Sequence, residues 1–296
     1  MSLRGWMLFA AMSIIWGIPY LLIKIAVEGV SVPVLVLART AVGALVLIPL
    51  ALNRAAWAPV LAHWKPVAAF AFFEIIAAWL LLSDAERHLS SSLTGLLIAA
   101  APIVAALLER LTGGEHRLTP TRMAGLAVGL GGVALLAGPE LAGGSAWPVT
   151  EVLLVALCYA IAPLIAARFL ADVPTLPMTA ACLGLAALIY AGPAAATWPA
   201  AVPSARVLVA LAMLAVICTA LAFIVFFALI REVGAARALV FTYVNPAVAL
   251  AAGVIVLDEA LTVGKVAGLA LILAGSVLAT RRTDGPAATP DPAASR

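Results

Sequence analysis

Apolar residues run along this chain in blocks about as long as a lipid bilayer is thick. A helix needs about 20 consecutive apolar residues to cross the hydrocarbon layer. Ten such blocks can be laid out, at residues 5–26, 32–52, 66–83, 91–109, 121–138, 149–169, 175–194, 206–229, 236–257 and 264–280. The stretches between them carry loop chemistry: Asn53, Pro59 and His63 after the second block, Gly113, Gly114 and Pro120 after the fourth, and Pro139, Gly143, Gly144 and Pro148 after the fifth. The pattern predicts an all-α membrane protein of ten transmembrane helices. The first block follows Arg4 but contains Trp16, Pro19 and Lys24 and has no convincing small-x-small cleavage site, so it reads as a retained helix rather than a signal peptide. The Pro- and Ala-rich tail, 284–296, is expected to be disordered.

Composition excludes the main alternative. Of the residues 65% are hydrophobic and only 10% charged, with a mean hydropathy of +1.17. Soluble domains carry roughly 25% charged residues. This chain has too little polar surface to cover a water-facing globule. The net charge is +3, with basic residues spread singly, so nothing suggests nucleic-acid binding. Cys158, Cys182 and Cys218 each stand alone in an apolar block and read as packing residues, not as a disulfide or metal framework.

Charge does add a direction. With the N-terminus in the cytoplasm, twelve of the seventeen Lys and Arg residues fall in inner segments and four in outer ones, with Arg39 inside a span. Such a bias marks the cytoplasmic side. Both termini are therefore expected in the cytoplasm.

The two halves also resemble each other. At an offset of 144, Pro19 falls on Pro163, Lys24 on Arg168, Pro102 on Pro246 and Glu115 on Glu259. With one residue lost, the Ala124–Ala127 stretch matches residues 267–270, and Gly132 matches Gly275. Five helices per half is an odd number, so the second half enters the membrane inverted. Two inverted repeats, 5–138 and 149–281, are expected, an arrangement common among secondary transporters.

These residues carry a resemblance to a known family. Trp16, Gly17 and the following Pro19, with Lys24, open the first span; Arg39 lies early in the second; Ala101 and Pro102 precede Gly114 and Glu115; Asn245 and Pro246 precede Asp258 and Glu259; the last helix of each half is Gly-rich. In this order they are similar to the EamA-type members of the drug/metabolite transporter superfamily. The resemblance implies a bacterial inner-membrane carrier that exports small organic metabolites, amino acids or related compounds among them. It implies that helices 1–4 and 6–9 surround a central cavity while helices 5 and 10 pack together behind, and it leaves room for a homodimer. Glu74 lies outside the family pattern, so no role for it follows.

Ionisable groups at membrane depth default to a functional reading. Arg39 lies about seven residues, or roughly 10 Å, inside the outer end of its span, and Glu74 about nine residues, or roughly 13 Å, by the helical rise. The two levels nearly match, and a pair is geometrically reasonable. Their repeat counterparts are Leu183 and Cys218, so the fold's symmetry does not require the charges. Either they serve transport, with an unpaired Glu74 as proton carrier, or they form a structural ion pair. Trp16, Pro19, Tyr20, Ile23 and Lys24 share one helical face and could wall a cavity or simply pack, and Lys24 is expected to snorkel outward. Trp79, Tyr159, Thr242, Tyr243 and Asn245 complete the candidate substrate cavity. Pro19, Pro102, Pro163 and Pro246 are candidate hinges, since each removes a helix hydrogen bond. Gly125, Gly129 and Gly132, with Gly268 and Gly275, suggest close helix packing. Glu115 and Glu259 read as capping acids.

An enzyme is disfavoured. His63, His88 and His116 lie in loops, and no HExxH, GxSxG or nucleotide-binding GxxxxGK[ST] pattern occurs. No metal or cofactor site is expected. A channel would want a ring of pore charges; a scaffold or sensor is the remaining alternative.

Overall fold

The computed structural model describes residues 1–51, 54–111, 120–144 and 146–280. The tail at 284–296 and Glu115 with its neighbouring glycines lie outside the described residues. Among the described residues there is no strand. The long helices are α1 (Leu3–Ala26), α2 (Val32–Leu50), α3 (Trp64–Ala85), α4 (Ser91–Ile98 continued by Ala101–Leu111), α5 (Pro120–Ala142), α6 (Ala146–Phe169), α7 (Thr175–Ala196), α8 (Ala205–Val233), α9 (residues 235–257) and α10 (Val263–Thr280). A short helix, Arg54–Ala62, joins α2 to α3.

Serine starts several of these helices by accepting an orphan backbone N–H, which lowers the cost of opening a helix. Ser2, Ser31, Ser90 and Ser204 accept from the amides of Gly5, Val34, Leu93 and Val207. Gly234, with φ +81°, ends α8 in a backbone conformation that other residues adopt only under strain.

Among the described residues eight helices, α1 to α8, are long and apolar enough to cross a bilayer. The continuous apolar part of α9, Asn245–Leu257, and the α10 stretch Val263–Ala279 are shorter. A tighter 3-10 segment, Leu239–Tyr243, separates that apolar part from the single α turn Ala235–Ala238 that opens α9. The outer surface is strongly apolar, with Leu45, Leu188 and Ile255 each more than two-thirds exposed. Such a surface suits lipid, where apolar side chains have no reason to hide.

Helix packing is unchanged when the halves are exchanged. α5 packs on α10, α2 on α7 and α4 on α9, each pairing repeat counterparts. α3 packs on α6 and α1 on α8, and the exchange converts one of these contacts into the other. The α5–α10 contact is the closest, and glycine allows it. A Cβ at Gly275 would stand 2.4 Å from the Gly129 backbone nitrogen, and one at Gly132 would stand 3.0 Å from the Gly268 carbonyl.

The repeat also appears in where the helices depart from α geometry. α3 contains a π-helical segment, Phe72–Ile76, and α8 contains another, Val216–Leu221, which begins 144 residues later. α4 breaks at Ala99 and Ala100, and α9 breaks at Val244, the match of Ala100, directly after its 3-10 segment. Pro102 and Pro246 lie just inside the segments that resume. Pro19 likewise starts the second half of α1 after a break at residues 16–18. Pro163 differs, since α6 runs through it without interruption.

Candidate functional site

The candidate residues separate into two groups. The first lies in the main core and draws on α1, α2, α3, α6 and α8. Arg39 on α2 is 4% exposed, and its guanidinium carbon stands 3.8 Å from the centre of the Trp79 ring on α3. Its Nε donates to Thr219 Oγ1 on α8 over a long 3.4 Å, while Nη1 has no partner among the described residues. The Thr219 hydroxyl donates to the Leu214 carbonyl five residues back, at 2.9 Å, a partner that the π-helical turn brings into reach. Tyr20, Tyr159 and Cys218 are electrostatic neighbours of Arg39. Tyr20 fits because Gly95 on α4 has no side chain: a Cβ there would meet the Tyr20 ring at 3.2 Å.

Glu74 sits in the π-helical segment of α3 and has no hydrogen-bonded or ionic partner among the described residues. Its electrostatic neighbours are Cys158 and Tyr159 on α6 and Cys182 on α7. The Tyr190 hydroxyl on α7 donates to the Ile76 carbonyl of the same segment at 2.7 Å, which satisfies a backbone group that the wider turn leaves free. The expected Arg39–Glu74 ion pair is therefore not formed. The guanidinium is turned onto Trp79 and Thr219, and Tyr159 lies within electrostatic range of both charges.

The second group lies where the first half of α1 meets α8 and α9. Trp16 packs among Phe223, Phe226 and Phe241, with ring centres 5.1–5.8 Å away. It thus belongs to an aromatic plug, on a different stretch from Tyr20, because the break at residues 16–18 divides the helical face that the two would share. Asn245, oriented to suit its two acceptors, donates to the Phe241 carbonyl at 3.1 Å and the Ser13 carbonyl at 3.2 Å. It therefore staples broken backbone on α1 and α9. Thr242 is exposed and returns its hydroxyl to the Leu239 carbonyl at 2.7 Å, while Tyr243 is half-buried.

Lys24 does not snorkel outward. Its Nζ donates to the Glu86 and Leu89 carbonyls, both at 2.7 Å, and ties α1 to the α3–α4 turn. Glu259 accepts from the Ser91 and Ser92 amides at 2.7 and 3.1 Å and from the Ser92 hydroxyl, and so caps α4. Lys265 completes this clasp through Ser92 Oγ at 2.8 Å. Burial opposes the ionised form of Glu259, but the serine donors outweigh it and hold the carboxyl below its ordinary range. Sequence reasoning missed Thr219, Ser13 and Glu86. Glu86, at the end of a span, carries no mark in the sequence, yet it is fully buried.

Two apolar grooves open elsewhere. One of about 460 Å³ is lined by Val34, Leu37, Trp198 and Leu208, and one of about 500 Å³ by Leu22, Ile25, Val209 and Met213. Neither is lined by Arg39 or Glu74.

A two-part helical bundle with a lipid-compatible surface, a buried Arg39 and a half-buried Glu74 at the junction of its halves has the build of a membrane transporter. Residues 3–138 and again 147–281 match the EamA-like transporter family, and the chain belongs to that family of transporters, which are not enzymes. Across 91% of its length it is 28% identical to the protein named "Uncharacterized inner membrane transporter YedA" from Escherichia coli strain K12, covering 88% of that protein. The same identity and coverage hold for YedA of E. coli O157:H7. A solved crystal structure with 20% sequence identity shares the fold, with a TM-score of 0.65 over 93% of this chain and 96% of that one.

Proposed function

We propose that this chain is a secondary transporter that exports small organic metabolites, with amino acids or related carboxylates as the substrate class, by alternating access. The observation that carries this reading is Arg39, a buried guanidinium at a contact between the two halves with one nitrogen lacking a partner among the described residues. Burying a charge without full pairing costs several kcal/mol. A substrate carboxylate docking on Nη1 would offset that cost while it is bound. The Trp79 ring, 3.8 Å from the guanidinium carbon, holds the guanidinium in place, and Tyr20 and Tyr159 lie within its electrostatic range. Glu74, unpartnered and close to the shared Tyr159, is the natural receiver of a substrate ammonium or a coupling proton.

In this reading the chain crosses the bacterial inner membrane ten times, with both termini in the cytoplasm and the repeats 5–138 and 149–281 inverted. The similarity to the E. coli inner membrane transporter YedA and the distribution of Lys and Arg support that placement. Pro19, Pro102 and Pro246 stand at helix breaks, where two halves can pivot, and Pro163 is the weakest hinge of the four. Trp16 and Asn245 act as a plug and staple at the end opposite Glu259.

Flux into proteoliposomes preloaded with mixed amino acids tests the proposal. Saturable counterflow that falls in Pro→Ala variants supports a carrier. Flux linear in concentration points to a channel, and no flux with any carboxylate solute points to a scaffold or sensor. Undiminished, still pH-dependent flux by Glu74→Gln overturns the proton role.

A further inference from the structure

Glu86 lies immediately beyond α3 and is wholly shielded from solvent. Among the described residues no group donates to either of its carboxylate oxygens. Its backbone is well held, since its carbonyl accepts from Lys24 Nζ at 2.7 Å. The side chain is left without a partner. An ionised carboxylate with neither water nor donors is among the most expensive groups a protein can bury, whereas the neutral acid costs far less.

The surroundings do not compensate. α1 supplies Lys24, whose charge favours ionisation, and the phenol of Tyr20. The α9–α10 turn supplies Glu259, whose like charge opposes it. Lys265 on α10 is engaged with Glu259 and Ser92. On the near side Asp84 pairs with Arg87 at 3.3 Å and interacts with Glu151 of α6. Burial dominates, and the Glu86 carboxyl is pushed well above the carboxylate range.

We propose that Glu86 is a proton-binding site that must be occupied for this end of the bundle to stay shut. Two clasps close the end: Lys24 on the Glu86 and Leu89 carbonyls, and Glu259 on Ser91 and Ser92. When the clasps part, water reaches Glu86 and its O–H proton leaves to that water. Closing again takes one proton back from the same side. The device belongs to one end only, because the repeat counterpart of Glu86 is Ile230 while Lys24 is matched by Arg168. The fold's symmetry therefore does not demand the acid. The inference rests on the reading that the two ends open alternately, but its test needs no substrate.

Leu89 is 1% exposed and lies in the same turn, so it reports opening. In a chain with Cys158, Cys182 and Cys218 replaced by Ala, Leu89→Cys is labelled with a membrane-impermeant maleimide at several pH values. The exposed position Glu28→Cys at the same end corrects for thiolate fraction. Between the ordinary carboxyl pKa of about 4.3 and the closed-state value, linkage makes opening rise about tenfold per pH unit. The corrected labelling rate should follow that slope, and Glu86→Gln should be slow and flat across the range. Equal slopes with and without Glu86→Gln overturn the proposal. Infrared spectra of the unsubstituted chain at pH 7 provide a second reading that does not depend on Leu89→Cys folding. A protonated-carboxyl carbonyl band that Glu86→Gln removes is expected, and a spectrum that Glu86→Gln leaves unchanged overturns the proposal even if flux is normal.

Discussion

Replacing Arg39 by Met separates transport from architecture. If Arg39 is kept for substrate, losing it should abolish flux and leave the fold almost untouched. The favourable contacts it makes within the protein are few. Its stacking on Trp79 is worth about 2 kcal/mol when desolvated, and a long bond to Thr219 at most about 1 kcal/mol. Against these stands the effective cost of burying a guanidinium with an unmet donor, several kcal/mol. The terms roughly cancel. Met fills much of the same volume beside the Trp79 ring and carries no desolvation penalty. Arg39→Met should therefore change the free energy of unfolding by less than about 1.5 kcal/mol, the usual range of volume-conserving swaps. The loss of a buried charged contact to a bound carboxylate is larger, about 2–5 kcal/mol, or thirty-fold and more in kcat/KM for flux. Arg39→Lys should rescue little, since an ammonium cannot lie flat on the ring or present a fork. The assays are denaturant or thermal unfolding in detergent beside proteoliposome flux. Unfolding of Arg39→Met with flux lost only in proportion would refute the reasoning and make Arg39 a structural residue.

Two further outcomes test the frame around the site. Gly275→Ala places a methyl 2.4–2.7 Å from backbone atoms of Gly125 and Gly129, so α5 and α10 must part. It should cost about 1–3 kcal/mol of stability, whereas Gly131→Ala, with open space around it, should be neutral or slightly stabilising; equal melting of the two variants would count against close helix packing. Glu259→Gln should lower stability at neutral pH by about 1 kcal/mol, as for a lost N-cap. Because the folded carboxyl is held low, its contribution is present above the unfolded pKa of about 4.3 and fades as pH falls through the folded value. The gap between Glu259→Gln and the unsubstituted chain should close in acid, and a gap that persists there contradicts the capping role.

Much of the site's membership could be read from residue type. Arg39 and Glu74 stand out because charge in an apolar block is rare, and Gly275 because small residues recur at helical spacing. Their relationships could not be read the same way. Matching depth made an Arg39–Glu74 pair plausible, but depth says nothing of rotation about the helix axis. The π-helical turns rotate exactly the segments that carry Glu74 and Thr219, and nothing in Phe72–Ile76 or Val216–Leu221 announces a π turn. Trp16 and Tyr20 share a face on an ideal helix, and a three-residue break sends them to different neighbours. Nothing in the sequence marked Glu86, because burial of a residue at the end of a span depends on what folds over it.

Apolar block length, the tally of Lys and Arg, and the offset of 144 are local or additive properties, which is why the sequence alone determined the helical membrane class and the two-part organisation. Which charges meet, which are left without partners and which loop acids are sealed depend on rotations and contacts between segments 60 to 230 residues apart. Those were decided only when the halves packed. That packing put Arg39 on Trp79 rather than on Glu74, and it closed Glu86 beneath Lys24.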